Sequence, residues 1–379
     1  MKISGPWMAH PATQGLCAAL VAAGYRALFV GGCVRNALLD APIADVDIST
    51  DAQPETVSKI AENAGFKVIP TGIDHGTVTV VAGEIPHEVT TFRRDVETDG
   101  RRAVVAFSTR IEDDAMRRDF TMNALYAEAD GTVIDPLGGL PDLLARRLRF
   151  VGQAEARIRE DYLRILRFFR FHAWYGDPAE GIDPEGLAAC AALSAGLETL
   201  SPERIGAEMR KLLAAPDPGP SLAAMAHAGI LLRVLPGADA RALPVLLHLE
   251  QARPPHWLRR LAVLGGEDPT DLWRLSRAES RDLGHIRDAL REDDGPAVLG
   301  WKFGALAEHA VLARAALIGT PPPEGWEAEV ARGQAAVFPI RAVDLMPALQ
   351  GPALGARLKA LEAAWLQSNL RAPRESLLG

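Results

Sequence analysis

With 379 residues, of which 48% are hydrophobic and 24% charged, the chain is too long for one typical core, so we expect two or three structural units. Its formal net charge of −8 argues against a protein that coats nucleic acid nonspecifically, but it leaves room for a local basic groove. No apolar run reaches the ~18 residues of a membrane span, and the dispersed cysteines, without a CxxC pair, argue against zinc or a disulfide framework and favour a cytoplasmic protein.

The first 150 residues mix helical periodicity with short, alternating β-branched segments, which predicts an α+β unit. The predicted helices lie at 11–24, 33–39, 54–64 and 117–126, and the predicted strands at 27–30, 45–49, 67–70, 77–82 and 87–92. A polar segment at 94–115 predicts a mobile loop or a hairpin, and Asp130-Gly131 predicts the turn of a further hairpin.

A glycine pair ends the first predicted strand. Gly31 and Gly32 lead into a helix with Arg35 in its first turn, in an order that matches neither a Walker loop nor a dinucleotide fingerprint. Glycines at such a turn can serve the backbone alone, through positive φ. A guanidinium beside backbone N–H groups suits a triphosphate, however, and we therefore predict that these three residues contact a nucleotide.

Two carboxylates follow at positions i and i+2 of the next strand. Asp45 and Asp47 should project from the same face, because strand side chains alternate. A surface strand with two solvated aspartates is the plain alternative, but with the glycine turn upstream the pair predicts a Mg²⁺ site in a nucleotidyltransferase. Glu88, on another strand, is the candidate third carboxylate, although an outward-facing strand residue would have the same pattern.

Two arginines and an aspartate open the predicted helix at 117–126. In the plain interpretation Asp119 lies near the helix cap and the arginines are solvated. In the functional interpretation Arg118 lies near the ribose or phosphates of a nucleotide, and Asp119 orients Arg118.

The segment 160–171 has the sharpest helical periodicity of the chain. An apolar stripe forms one face, and Arg164, Arg167 and Arg170 fan across the other, with Asp161 one helical step from Arg164. A solvated basic face is the usual reason for such a pattern. Two phenylalanines share the arginine side, however, which favours a binding role.

Asp161 and Arg164 together can read the edge of a base. The carboxylate accepts a hydrogen bond from an exocyclic amino group, and the guanidinium donates to the neighbouring acceptor. Cytosine and adenine carry such an amino group, whereas guanine and uracil present a carbonyl there and would leave buried groups unpaired. A helix carrying both residues therefore predicts selection of CTP and ATP over GTP and UTP without a template.

The strand signal vanishes after residue 153, and the rest of the chain is Ala/Leu/Arg-rich with helical periodicity and Pro/Gly breaks. We therefore predict a string of helices. The α+β unit therefore ends at about residue 150, before the helical part of the chain.

Taken in order, these motifs resemble the class II tRNA nucleotidyltransferases, which are the bacterial and eukaryotic CCA-adding enzymes, and the related bacterial poly(A) polymerases. The matching segments are GGCVR, DVDIST, HGTVTVV, EVTTFRRD, RRDFTMNAL, DPLGG, EDYLRILRFFRF and SPERIGAEMRKLL. The resemblance implies a polymerase-β-like catalytic head at 1–150, followed by an all-helical remainder. This remainder is a neck with the base-reading helix at 151–220 and a body and tail that bind tRNA at 221–379. It implies Mg²⁺ binding by Asp45 and Asp47 and nucleotide contacts by Gly32, Arg35, Arg118, Asp161, Arg164, Arg167 and Arg170.

The implied reaction is template-independent addition of C, C and A to the 3′ end of tRNA from CTP and ATP, with release of pyrophosphate. The alternatives are an A-adding or CC-adding specialist, a poly(A) polymerase, or a non-catalytic RNA-binding protein on the same scaffold. Segment 94–115 resembles the loop that full CCA-adding enzymes use to switch from C to A, and the chain carries no long basic C-terminal tail. Both features favour the full activity.

The chain departs from the family pattern at Asn36, where the family usually has Asp after the arginine. The sequence leaves the effect of this change open. No His-Asp dipeptide occurs, so we do not expect the phosphohydrolase domain that some relatives carry.

Overall fold

A computed structural model describes residues 1–70, 72–99, 102–250 and 253–379, and it describes side chains in these ranges except at 74, 95–99 and 102–105. The chain forms two compact units. The first comprises residues 1–201 with 227–233, and the second comprises residues 202–226 with 234–379. The division into head, neck, and body with tail stays a prediction.

The strands are confined to the first unit. They are β1 (Leu28–Val30), β2 (Val46–Thr50), β3 (Lys67–Ile69), β4 (Thr77–Ala82), β5 (Ile85–Thr91), β6 (Arg93–Asp99), β7 (Arg102–Phe107), β8 (Tyr126–Ala127) and β9 (Val133–Ile134). The helices that precede residue 201 are α1 (Pro6–Ala9), α2 (Pro11–Ala22), α3 (Gly32–Leu38), α4 (Pro54–Asn63), α5 (Ile111–Met116), α6 (Leu140–Leu144), α7 (Ala154–Glu160), α8 (Leu163–Tyr175) and α9 (Pro184–Ala192).

The described residues form a seven-stranded sheet in the order β3-β4-β5-β2-β1-β8-β9 and a separate β6–β7 hairpin. The neighbouring strands β2 and β5 are parallel, and the other pairs of the sheet are antiparallel. Val46, Ile48 and Thr50 on one side of β2 are buried, and Asp47 on the other side is partly exposed. The alternation of β2 therefore sends its carboxylate to a face that a substrate can reach.

The predicted α+β unit and its five strands are confirmed, with strand ends that shift by at most two residues. Segment 94–115 contains the β6–β7 hairpin and α5. Residues 100 and 101 of this segment lie outside the described residues.

The predicted helix at 117–126 is wrong. Helix α5 ends at Met116, and Phe120 is extended, with φ −124° and ψ 149°, before a 3₁₀ turn at Thr121–Asn123. Phe120 forms an isolated bridge with Phe150, so this stretch of backbone pairs with a distant segment instead of closing helical hydrogen bonds. The helical propensity of residues 117–126 was therefore overridden by this tertiary pairing.

The single helix predicted over 160–171 is interrupted at its start. Helix α7 ends at Glu160, Asp161 is extended with φ −156° and ψ 107°, and α8 begins at Leu163. Asp161 therefore lies between two helices and not on the helix of Arg164. The apolar stripe is confirmed in α8, where Ile165, Leu166 and Phe169 are buried.

From α10 onward the described chain is helical. The helices are α10 (Pro202–Leu213), α11 (Gly219–His227), α12 (Ile230–Val234), α13 (Leu243–Glu250), α14 (Trp257–Leu264), α15 (Pro269–Leu272), α16 (Arg277–Arg291), α17 (Pro296–Phe303), α18 (Leu306–Ile318), α19 (Trp326–Ala335), α20 (Gly351–Gln367) and α21 (Arg374–Leu378). The predicted string of helices is confirmed. In the described part of the chain, no helix has both the length and the apolar surface needed to cross a membrane.

Candidate active site

The acidic face of the sheet is built by β2 and β5. Asp47 is directly opposite Glu88 in the parallel register of these strands, so the two side chains project from the same face. Asp45 comes just before β2 and is exposed. Burial, with help from the nearby Glu88 and Asp45 carboxylates, raises the pKa of Asp47 to about 6, and Arg118 opposes this shift.

The chemistry of this face fits a hard divalent cation. Among the described residues no cluster of three or more His, Cys, Asp or Glu side chains could hold a metal ion by itself. Mg²⁺ differs from other metals here, because it is commonly bound through one or two carboxylates with water and substrate phosphates as its other ligands. Asp45 and Asp47 are therefore the residues that could supply the protein's share of such a site.

Arg118 reaches the same face as Asp47. Its Nη2 donates to Asp114 Oδ2 at 3.0 Å and to Ser49 Oγ at 3.5 Å, and its Nε donates to the Tyr126 hydroxyl at 3.2 Å. Ser49 is two residues beyond Asp47 on β2, so both side chains lie on one side of the strand. The remaining nitrogen, Nη1, makes no hydrogen bond within the described residues and lies 3.2 Å from where a β-carbon on Gly31 would be.

Asp114 anchors this arginine, and sequence reasoning missed it. Its carboxylate is fully buried and pairs with both Arg117 and Arg118. Burial alone would raise the pKa of Asp114, but the two guanidinium groups outweigh burial and lower that pKa to about 2. The i, i+4 spacing of Asp114 and Arg118 was a readable signal, and the misplaced helix at 117–126 hid it.

Asp119 orients Arg167 and not Arg118, which corrects the expected pairing. Asp119 Oδ2 accepts from Arg167 Nε at 2.8 Å and from Nη2 at 2.5 Å, while its Oδ1 accepts from Asn123 Nδ2. Burial opposes ionisation of Asp119, but Arg167 and Asn123 outweigh it and lower its pKa to about 2. The turn after α5 points the carboxylate toward α8, because Phe120 is extended and not helical.

Arg164 is held by backbone carbonyls and by Glu160. Its Nη1 donates to Glu160 Oε2 at 2.6 Å and to the Arg157 carbonyl at 2.9 Å, and its Nη2 donates to the Arg117 carbonyl at 3.2 Å. Arg157 also donates to the carbonyls of Arg117 and Arg118. Asp161, in the break before α8, accepts from the Leu163 N–H at 3.1 Å.

Arg35 is buried at the junction of α3 and α8. Its guanidinium donates to Asn36 Oδ1, to Asn123 Oδ1 at 2.5 Å and to the Tyr175 hydroxyl at 2.8 Å. Burial lowers the pKa of Arg35, and Arg170 and Arg167 lower it further against the opposing effects of Tyr175 and Asp119.

The glycine pair lies between two guanidinium groups. Gly31, the residue before α3, has φ 69° and ψ −117°, a conformation that only glycine adopts readily. Arg118 approaches the turn at Gly31, and Arg35 Nη2 lies 3.8 Å from the β-carbon position of Gly32. The missing side chains thus leave room for cations close to the backbone.

The predicted site residues all lie in the first unit, and a groove elsewhere in that unit contains none of them. A groove of about 930 Å³ lies between α7 and α9 and is lined by residues such as Arg149, Arg159 and Asp183. None of the predicted site residues lines it. The candidate active site is instead the open face around Asp47 and Arg118.

Known proteins match the chain in both sequence and fold. Residues 27–149 match the family described as the poly A polymerase head domain, and residues 181–241 match the family described as the probable RNA and SrmB-binding site of polymerase A. The CCA-adding enzyme of Geobacillus thermodenitrificans is 38% identical over 81% of this chain and 70% of its own length. The mitochondrial CCA tRNA nucleotidyltransferase 1 of Homo sapiens is 41% identical over 56% of this chain and 50% of its own length.

Solved structures agree with these sequence matches. The crystal structure of the Bacillus stearothermophilus CCA-adding enzyme in complex with CTP is 32% identical, has a TM-score of 0.75, and covers 96% of this chain and 94% of that one. The Thermotoga maritima CCA-adding enzyme complexed with tRNA, at 18% identity and a TM-score of 0.72, shares the fold. The chain therefore belongs to the CCA-adding enzymes, the tRNA nucleotidyltransferases that carry a poly(A) polymerase head domain.

Proposed function

We propose that this protein adds C, C and A to the 3′ end of tRNA without a nucleic-acid template, using CTP and ATP and releasing pyrophosphate. The observation that carries the proposal is the acidic face of Asp47 and Glu88 with Arg118 beside it, in a chain of this family. Such a face combines cation-binding carboxylates with a donor for a triphosphate, which nucleotidyl transfer requires.

Asp45 and Asp47 would hold Mg²⁺, and Glu88 would be the third carboxylate of the face. Bound there, the ion would lower the pKa of the terminal tRNA hydroxyl and neutralise charge on the triphosphate. Burial first, and the neighbouring Glu88 and Asp45 second, raise the pKa of Asp47 to about 6. This supports the assignment, because a cation stabilises the charged form that burial and like charges disfavour. The negative face also repels a triphosphate that arrives without its cation.

The triphosphate would lie along the glycine pair. Arg118 supports this assignment because its Nη1 is directed toward Gly31 while Asp114 and Tyr126 hold the rest of its guanidinium. A donor fixed in this way pays little orientational entropy when the substrate binds. Arg167 and Arg170, on α8, are the proposed further contacts to the nucleotide.

Asp161 and Arg164 would select the base by its amino group. The rigid support of Arg164 by Glu160 and by two carbonyls favours such a role, because discrimination needs donors that do not adjust to a wrong base. The break between α7 and α8 leaves Asp161 outside the helix of Arg164, but the Arg164 N–H still donates to the Asp161 carbonyl at 3.0 Å. GTP and UTP should therefore be poor substrates.

Purified protein incubated with tRNA that lacks its terminal trinucleotide, labelled CTP and ATP, and Mg²⁺ tests the function. Products that end in CCA are expected. A product that ends in CC, in a single A or in a long A tail would replace the proposal with a partial or poly(A)-adding enzyme. No extension at all would favour a non-catalytic RNA-binding protein, which the retained carboxylate pair argues against.

The metal assignment has its own test in the same assay. Asp47→Asn should abolish incorporation of CTP and ATP alike, because it removes a ligand needed for every addition. Asp130→Asn is the matched control, since Asp130 is an exposed aspartate paired with Lys2. Wild-type rates for Asp47→Asn would show the metal assignment to be wrong.

A cytoplasmic location is also part of the proposal. Cys17, Cys33 and Cys190 are all buried and unpaired with one another, which suits a reducing compartment. Fractionation of cells that express the tagged protein would test this location.

A further inference from the structure

We propose that Phe171 and Tyr175 form an aromatic shelf that positions Arg35, so that this buried guanidinium keeps its full positive charge for the substrate triphosphate. The proposal rests on the proposed function and adds two positioning residues to it. Both aromatic side chains lie on α8, one turn apart, and both face Arg35 on α3.

Arg35 is unusual because it is buried without an ion pair. The residue is 6% exposed, and its hydrogen-bond partners are the side-chain oxygens of Asn36, Asn123 and Tyr175, which are all neutral. In the described part of the chain, no carboxylate forms a salt bridge with it. Arginine is rarely buried unless it is paired, because removing a charge from water is costly. Some other interaction must stabilise the guanidinium here.

The aromatic rings supply that interaction. The guanidinium carbon of Arg35 lies 4.0 Å from the centre of the Tyr175 ring and 5.1 Å from that of Phe171. Both distances are within the range of cation–π attraction, which strengthens when the pair is shielded from water. An aromatic face attracts a cation without adding negative charge. A carboxylate in the same place would hold Arg35 equally well but would cancel its field at the triphosphate.

The Phe171 ring serves more than one cation. The guanidinium carbon of Arg170 lies 4.4 Å from the ring centre and that of Arg167 lies 5.2 Å from it. The ring itself is only 4% exposed and is fixed by packing on Phe120, at 5.1 Å between centroids. Phe171 is thus a rigid, uncharged support around which three guanidinium groups gather.

The location of Arg35 explains what its charge would do. Its Nη2 lies 3.8 Å from the β-carbon position of Gly32, and Arg118 Nη1 lies 3.2 Å from that of Gly31. A triphosphate along the glycine pair would therefore feel Arg35 without needing to displace its neutral partners. Arg35 then acts mainly through its electrostatic field, and the shelf fixes the position of the charged guanidinium.

Fluorination of Phe171 tests the shelf, because it changes the charge distribution of the ring while nearly keeping the ring's shape. Replacing Phe171 by mono-, di- and trifluorinated phenylalanine weakens the negative face of the ring step by step. We expect KM for CTP and ATP to rise with each fluorine, to a total of about threefold to tenfold, with kcat changed much less. The rise should shrink at high salt, because the affected step is attraction of an anion.

Phe169 is the matched control, since it is buried on the same helix and contacts Phe168 without facing Arg35. The same fluorinated series at Phe169 should leave KM unchanged. A KM that is flat across the Phe171 series, or that rises equally in the Phe169 series, would overturn the shelf and leave both rings as packing groups.

Tyr175→Phe provides an independent measurement. This change removes the hydroxyl that accepts from Arg35 but keeps the ring, so we expect KM for CTP to rise by only about twofold to fivefold. Tyr175→Leu removes both interactions and should raise KM further. If the two variants have the same KM, the ring of Tyr175 does not support the guanidinium.

The outcome for the shelf is separable from the outcome for the proposed function. Calorimetric titration of each variant with CTP and Mg²⁺ measures binding even when no nucleotide is transferred to tRNA. If wild-type protein binds CTP but does not extend tRNA, the function fails while the fluorinated series still decides the shelf. If wild-type protein does not bind CTP, both proposals are overturned.

Discussion

Each unit of the protein contains a buried acid surrounded by arginines, and the two clusters differ in what they leave available. In the first unit Asp114 holds Arg117 and Arg118, and Arg118 keeps Nη1 directed at Gly31. In the second unit Glu250 holds Arg259 and Arg260. The chemistry of the two clusters is the same. The first presents a cation to a surface, and the second has a closed set of partners.

The closure of the second cluster is visible in its hydrogen bonds. Arg260 donates to Glu250 and to the carbonyls of Leu213, Ala215 and Pro216, which ties the end of α10 to α14. Arg259 donates to the other oxygen of Glu250 and contacts the His309 ring and the Pro254 carbonyl. Each guanidinium nitrogen of Arg259 and Arg260 thus has a partner, which fixes the structure, whereas a nitrogen without one among the described residues, such as Arg118 Nη1, can also bind a ligand.

The largest effect expected from this comparison is on stability in the second unit. Glu250→Gln leaves two arginines buried without their counter-charge, and the free energy of unfolding should fall by about 3–5 kcal/mol. Urea denaturation of the variant and the wild type measures this change. Glu198→Gln is the control, because Glu198 pairs with Arg233 at the surface and its loss should cost less than about 1 kcal/mol. Equal effects in the two variants would contradict the comparison.

The next effect is on activity in the first unit. Arg118→Lys keeps a positive charge beside Asp114 but loses the planar donor at Gly31, so kcat/KM for CTP should fall about a hundredfold with little change in melting temperature. Arg117→Lys is the control, because Arg117 pairs with the same carboxylate and does not approach the glycine turn. A variant at Arg117 that is as inactive as the one at Arg118 would show that the cluster is only structural.

A smaller expected effect is on how the stability of each cluster depends on pH. Burial, with His256 and Arg259 nearby, lowers the pKa of His309 to about 4, below the ordinary value of 6.5. Between these values the unfolded chain takes up a proton that the folded protein refuses, so stability should fall as the pH drops from 6.5 to 4. Melting temperatures measured at pH 7, 6 and 5 should show this decline. His309→Gln should make it shallower without removing it, because burial also lowers the pKa values of His87, His172 and His256. An unchanged slope would exclude His309 as its source.

Asp114 responds to acid at a lower pH than His309. Its pKa is lowered to about 2, so its contribution to stability is complete above the ordinary value of 3.8 and is lost only as the pH falls toward 2. Mild acid should therefore weaken the His309 region while the Asp114 cluster stays intact.

The sequence predicted the elements of this fold better than the pairings within the site. Alternation and glycine turns located β2 and β5, and the register then placed Glu88 beside Asp47. The partner of Arg167 was not predictable, because it depends on the extended Phe120 and its bridge to Phe150. The partner of Arg118 was readable from its i, i+4 spacing to Asp114, but the helix misplaced at 117–126 hid it. A pattern of charges indicates that ion pairs exist, but tertiary pairing of the backbone decides which carboxylate each guanidinium meets.

Asn36, beside Arg35 on α3, gives the smallest expected effect. Asn36 Oδ1 accepts from Arg35, and its Nδ2 donates to the Pro42 carbonyl at 2.6 Å, in the loop that leads to Asp45. Asn36→Asp would strengthen the bond to Arg35 through a full charge but would lose the donor to Pro42.

We expect Asn36→Asp to raise KM for CTP by about twofold to threefold, because a carboxylate beside Arg35 cancels part of the field that reaches the triphosphate. Asn36→Ala is the control, since it also loses the Pro42 contact but adds no negative charge. If the two variants have the same KM, the loop contact and not the charge of Arg35 is responsible. If Asn36→Asp lowers KM, the charge of Arg35 without a paired carboxylate weakens substrate binding. The contrast between the Asp114 and Glu250 clusters would then not apply to Arg35 on α3.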